Sequence, residues 1–217
     1  MRLIRRIAIA VIMIATACCA STYGQAVPTK NAVLLNATSP FEDLVDFGLA
    51  KNDAAIETSL AAVLKQAAAV RKVLSADAGR RFDALVVALG KAAGDKSYAM
   101  VADQAVEAFR VLIENLDAAG LRVPKEVSLL DYAGFKIRVL AAAPQPDWNA
   151  MRKTVGEAGT WWNAMKAKVS SRGLSDAFGS TVRGLQEASR SENLPMVRFA
   201  AQMDLDLVDV LEAHFEH

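Results

Sequence analysis

The chain has 217 residues, with 25 Lys plus Arg against 24 Asp plus Glu. A balance this close to neutral argues against a nucleic-acid partner, which needs a strongly basic face. It gives no basis for tight binding to anionic lipid either. Alanine is abundant, aromatics are only 6% of residues, and no segment alternates apolar and polar residues at the strand period. That composition favours helix over sheet.

The chain opens as an export leader. Arg2, Arg5 and Arg6 form a basic head, and an apolar run from Ile7 to about Ala17 follows. The run is shorter than the roughly 20 apolar residues of a spanning helix. Signal peptide is therefore expected over 1–20, with cleavage between 17 and 26. Small-x-small sites occur at Ala15-Thr16-Ala17, Cys18-Cys19-Ala20 and Gly24-Gln25-Ala26. The first option leaves Cys18 leading the product, as a lipid-bearing cysteine would, although Ala15 stands where Leu is usual. Removal of the leader drops Lys plus Arg from 25 to 22 against 24 acids, for a processed charge of about −2. Both cysteines lie in the leader region, so the remainder must hold together without a disulfide. A periplasmic or secreted address is expected, or attachment to the envelope through lipid on Cys18. No later stretch reads as a transmembrane span.

Residues 21–39 read as a flexible arm rich in Ser, Thr, Asn, Gly and Pro. Ser39-Pro40 signals a helix start. The first half, 40–119, carries four periodic segments: Pro40 to Ala50, Asp53 to Leu74, Arg80 to Ala93 and Ser97 to Ala118. Ile56, Leu60, Val63, Leu64, Ala67 and Val70 mark the inward face of the second. A linker, 120–126, contains Gly120 and Pro124. The second half, 127–217, repeats the pattern: Val127 to Ala142, Asp147 to Val169, Leu174 to Ser189 and Leu194 to Phe215. The fold expected is all-α, an antiparallel bundle of about eight helices.

Residue echoes between the halves suggest a duplication. Leu44-Val45-Asp46-Phe47-Gly48 parallels Leu129-Leu130-Asp131-Tyr132-Ala133, and Phe82, Val86 and Leu89 parallel Phe178, Val182 and Leu185. The offset grows stepwise, from 85 at Asp46 and Asp131 to 98 at Glu114 and Glu212. Steps of that kind arise where turns absorb insertions.

Candidate chemistry is sparse. His214 and His217 are the two histidines. With Glu212 they form a candidate terminal metal cluster. Asp46 and Asp131 occupy echoed positions and are candidates for a shared carboxylate site, with Asp209 in a second Asp-Leu-Val-Asp run. Trp161 and Trp162 point about 100° apart on one helix, so one is expected at a groove mouth, with Tyr132. Covalent haem needs Cys-x-x-Cys-His, which is missing, and a b-type haem would need His214 with Met203, Met100 or Met196. No resident cofactor is expected. Ser170 and Ser171 have no evident histidine base, and no glycine loop fits a phosphate cradle. No catalytic residue is assigned. The sequence points to a non-enzymatic periplasmic accessory protein that binds a small ligand or a protein partner. Metal handling through acidic clusters and the terminal histidines is one alternative, and envelope assembly is another.

Overall fold

The computed structural model describes residues 29–216. The leader, Cys18, residues 21–28 of the expected arm, and His217 lie outside them. Among the described residues there are nine α-helices, one 3-10 turn and no strand, as an all-α bundle requires. None of these helices is long and apolar enough to cross a membrane.

The arm is not irregular throughout. Lys30–Asn36 forms helix α1, begun by Thr29, whose hydroxyl accepts from the Ala32 N–H at 3.3 Å. Asn31 is tied to Asp117 by two hydrogen bonds of 2.8 Å, and Leu34 is fully buried. Seven residues are too few to display a helical period. Tertiary contact stabilises this turn, and sequence pattern alone does not reveal it.

Helix α2 (Ser39–Ala50) ends on Lys51 in a left-handed conformation, and Asn52 then caps α3 (Asp53–Val73) through Ala55 N–H. On α3 the inward stripe is Ile56, Ser59, Val63, Ala67 and Val70, so Leu64 points outward, contrary to expectation. Helix α4 (Ala76–Gly94) starts four residues earlier than the sequence suggests, because Ser75 caps it through Ala78 N–H. Helix α5 (Tyr98–Glu114) ends four residues earlier, where the Asn115 side chain bonds the Val111 carbonyl. After the linker come α6 (Lys125–Ala142), α7 (Trp148–Met165) with the 3-10 turn Lys166–Lys168, α8 (Arg172–Arg190) and α9 (Leu194–Glu216). Asp147 caps α7 twice and Ser171 caps α8.

Within α2 to α5 each helix packs on the next, and α2 closes the ring against α5. Helices α6 to α9 repeat this, with α6 closing against α9. The rings are joined mainly by α5 on α6. Helix α6 serves both cores: Leu129, Tyr132, Phe135 and Val139 join the first, while Val127, Leu130, Ala133, Ile137 and Ala141 join the second. A helix shared in this way loses the polar face of a surface helix. Glycine permits the closest approach in each ring. Gly48 on α2 lies against the backbone of Tyr98 and Ala102, and Gly134 on α6 lies against Leu205 and Asp204.

Candidate functional site

A connected polar layer lies at the seam between the rings. Arg110 on α5 donates to Glu114 (2.7 Å), to the Tyr132 hydroxyl (3.0 Å) and to Glu157 on α7 (3.2 Å). Lys136 on α6 reaches Asp103 at 2.6 Å and Glu107 at 2.8 Å. The Tyr132 hydroxyl donates to Glu107 at 3.4 Å, and its ring packs edge-on against Trp161. Burial, then the Glu107 charge, pushes the Tyr132 phenol up to about 12. Burial works to lower Lys136, but its bonds to Asp103 and Glu107 outweigh that and raise it. Each of these groups is paired with its neighbours, so the seam fixes how the rings meet.

The sequence candidates disperse around this layer. Asp46 accepts from Arg138 Nη1 of α6 at 2.7 Å, so its cation is a guanidinium of the same chain. Asp131 is half-buried on α6, and Asp209 is exposed on α9. Among the described residues, no three His, Asp or Glu side chains converge as a metal site needs. The aromatic trio does not line one groove. Tyr132 and Trp161 meet at the seam, whereas Trp162 stacks on Phe178 inside the second ring, with centroids 4.7 Å apart. Trp162 also walls a cleft of about 220 Å³ between α7 and α8, with Lys166 and Arg183.

Glu212 and His214 are likewise separated, since residues two apart on a helix do not share a face. His214 turns to the loop before α8, where its Nε2 lies 3.3 Å from both the N–H and the hydroxyl of Ser170. Ser170 therefore has the histidine neighbour that its sequence surroundings hide, 44 residues away. Its own N–H occupies the imidazole lone pair a base would use, and the pair sits at the surface, outside the cleft between α7 and α8. Met100 and Met196 are exposed, which is unlike haem ligands in a core.

A larger chamber, about 540 Å³, opens where α1, the linker and the end of α9 meet. Leu35, Leu116, Leu121 and Val123 form its apolar walls, while Arg122, Lys125, Ser128, Glu212 and Glu216 supply its polar atoms. The linker residues were legible only as a connection. The signal for a wall is that Gly120, at φ +83°, and Pro124 bracket two apolar side chains, Leu121 and Val123. Burial pushes the Glu212 carboxyl up to about 7, helped by the charges of Glu42, Asp209 and Glu216.

One buried acid escaped the sequence reading. Asp204 is fully buried, and neither carboxyl oxygen has a hydrogen-bond partner among the described residues. Burial alone raises its pKa well above the usual carboxylate range. Its signal was present, because it stands between Ala200 and Val208 in the inward stripe of α9.

No protein-family model, curated protein or solved structure matches this chain.

Proposed function

We propose that this chain is an exported, non-enzymatic binding protein that holds a small amphipathic molecule in the chamber between α1, the linker and α9. The observation that carries this is the chamber itself, about 540 Å³ with leucine and valine walls around the half-buried Glu212. Ligand sites commonly span about 300–1,000 Å³ and pair apolar walls with a few polar groups. A carboxyl with a displaced pKa inside such a space is a further mark of a binding site. The exported address rests on the basic head and apolar run of residues 2–17. Envelope attachment through Cys18 remains the alternative address, and fractionation of a Cys18→Ala variant separates the two.

The fluorescent amphiphile 1-aminoanthracene tests the chamber. It should brighten on mixing with the protein, and Val123→Trp, which fills the space, should abolish the signal while leaving helical dichroism intact. No binding by the unaltered protein, or undiminished binding by the filled variant, rejects the reading.

We also propose that the two rings arose by duplication, in keeping with their shared connectivity and sequence echoes. Superposing α2–α5 on α6–α9 should place Asp46 on Asp131 and Glu114 on Glu212. A best superposition in another register removes the idea.

A further inference from the structure

The cleft between α7 and α8 is lined by donors. Trp162, Lys166, Arg183 and Gln186 form its polar wall, and no acid lines it. Indole, ammonium and guanidinium groups donate hydrogen bonds and cannot accept them. The flanking acids of these helices are engaged elsewhere: Glu157 with Arg110, Asp176 with Arg172 and Glu187 with Arg190. Lys166 bonds Asn163 Oδ1 at 2.8 Å, and Arg183 bonds the Ser180 hydroxyl at 3.0 Å, so both partners are neutral. Among the described residues, neither cation forms an ion pair, and the cleft carries two unbalanced positive charges.

Both cations are exposed, and alone they would hold an anion weakly. The indole adds a fixed point. Trp162 is only 5% exposed, is held by its stacking on Phe178, and has no acceptor for its N–H among the described residues. Its Nε1 lies 3.4 Å from the position a Cβ would take on Gly179, and Arg183 Nη1 lies 3.6 Å from that same position. Glycine leaves the position open, so one acceptor beside it meets both donors. Gly159 does the same for a third: the Gln186 amide nitrogen stands 2.9 Å from where a Cβ of Gly159 would be. Both glycines are buried in helix interiors, where alanine would suit the helix better.

We propose that this cleft binds the oxyanion group of a small ligand, a carboxylate or a phosphate. One oxygen sits between the Trp162 N–H and Arg183, and Lys166 shares the charge. A neutral acceptor would leave both cations unbalanced, and a cation would be repelled by them. At about 220 Å³ the cleft is below the usual size of a drug-sized site and suits a single such group. It shares no lining residue with the chamber beside α1, so the two sites stand or fall separately.

The test titrates protein carrying 15N-labelled indoles with sodium phosphate and with sodium acetate, at constant pH and ionic strength. The Trp162 indole resonance, identified by its loss in Trp162→Phe, should move saturably, with half-saturation at about 1 mM. The Trp148 resonance, from the same helix but outside the cleft, should stay in place. Arg183→Gln should weaken binding about tenfold, as loss of a charge-assisted hydrogen bond does. Gly179→Ala puts a methyl in ordinary contact with both donors, so its dichroism should match the parent while its Trp162 resonance no longer responds. The anion that binds more tightly names the ligand's group. A Trp162 shift that grows linearly with both salts to about 50 mM is ionic screening and overturns the site. So does a saturable response that survives in Gly179→Ala.

Discussion

Asp204→Leu should raise the stability of the protein at pH 8 by about 2–4 kcal/mol, as expected for replacing a buried, unpaired acid by an apolar side chain. The carboxyl is fully buried, has no hydrogen-bond partner among the described residues, and lies against Gly134 of α6. Its native pKa is raised by burial, with no charged neighbour contributing. The native state therefore holds the proton more tightly than the unfolded chain does. Stability from this group is fully present below the unfolded pKa, about 3.9, and is lost as pH rises toward the raised native value. The loss runs at about 1.4 kcal/mol per pH unit while the native acid stays protonated and the unfolded one does not. Urea unfolding at pH 5 and pH 8 checks this. The advantage of Asp204→Leu should shrink at pH 5, and the isosteric Asp204→Asn should lose the slope that Asp204 imposes. Two variants that are both weaker than the parent at pH 8 would mean that the carboxylate is ionised and paired in the native protein.

The apolar period made most of the helices legible, because burial and period are the same fact seen twice. Phe178, Val182 and Leu185 are spaced for one face of α8, and all three are buried. Cap residues were readable at Asp147, whose side chain accepts from two backbone N–H groups at 3.0 and 2.9 Å. Helix α1 was not legible, since its seven residues are held by Asp117, which is distant in sequence, and by the burial of its own Leu34. The site suffered from the same blindness. Asp46 was legible as a functional carboxylate only until Arg138, 92 residues away, came to meet it. Glu212 was singled out beside His214, but a helix sends the two side chains to different walls, one into the chamber and one to Ser170. Leu121 and Val123 looked like connection because linkers are recognised by their glycine and proline, not by what covers them. Sequence period locates faces, whereas a binding site is set by which faces the loops bring together.

Gly48→Ala carries the other large expected effect, and its sign is decided by what lies opposite. In an exposed helix interior, Gly to Ala is worth about 0.5–1 kcal/mol of stabilisation. Gly90 on α4 has open space beyond it, so Gly90→Ala should show that gain. At Gly48 a Cβ would stand 2.9 Å from the Tyr98 carbonyl oxygen, 3.0 Å from the Ala102 nitrogen and 3.2 Å from the Ala102 Cβ. Two of these are backbone atoms in the first turn of α5, which cannot rotate aside as a side chain would. Helix α2 must then back away from α5 along the contact that closes the first ring, where Leu44, Val45, Val101 and Ala105 are buried together. Overpacking of this kind costs about 1–3 kcal/mol and exceeds the helical gain. Gly48→Ala should therefore unfold at lower urea than the parent, while Gly90→Ala unfolds at higher urea. Equal gains from the two substitutions would show that α2 and α5 stand further apart than the Gly48 contact requires. The first ring would then be closed by its side chains alone.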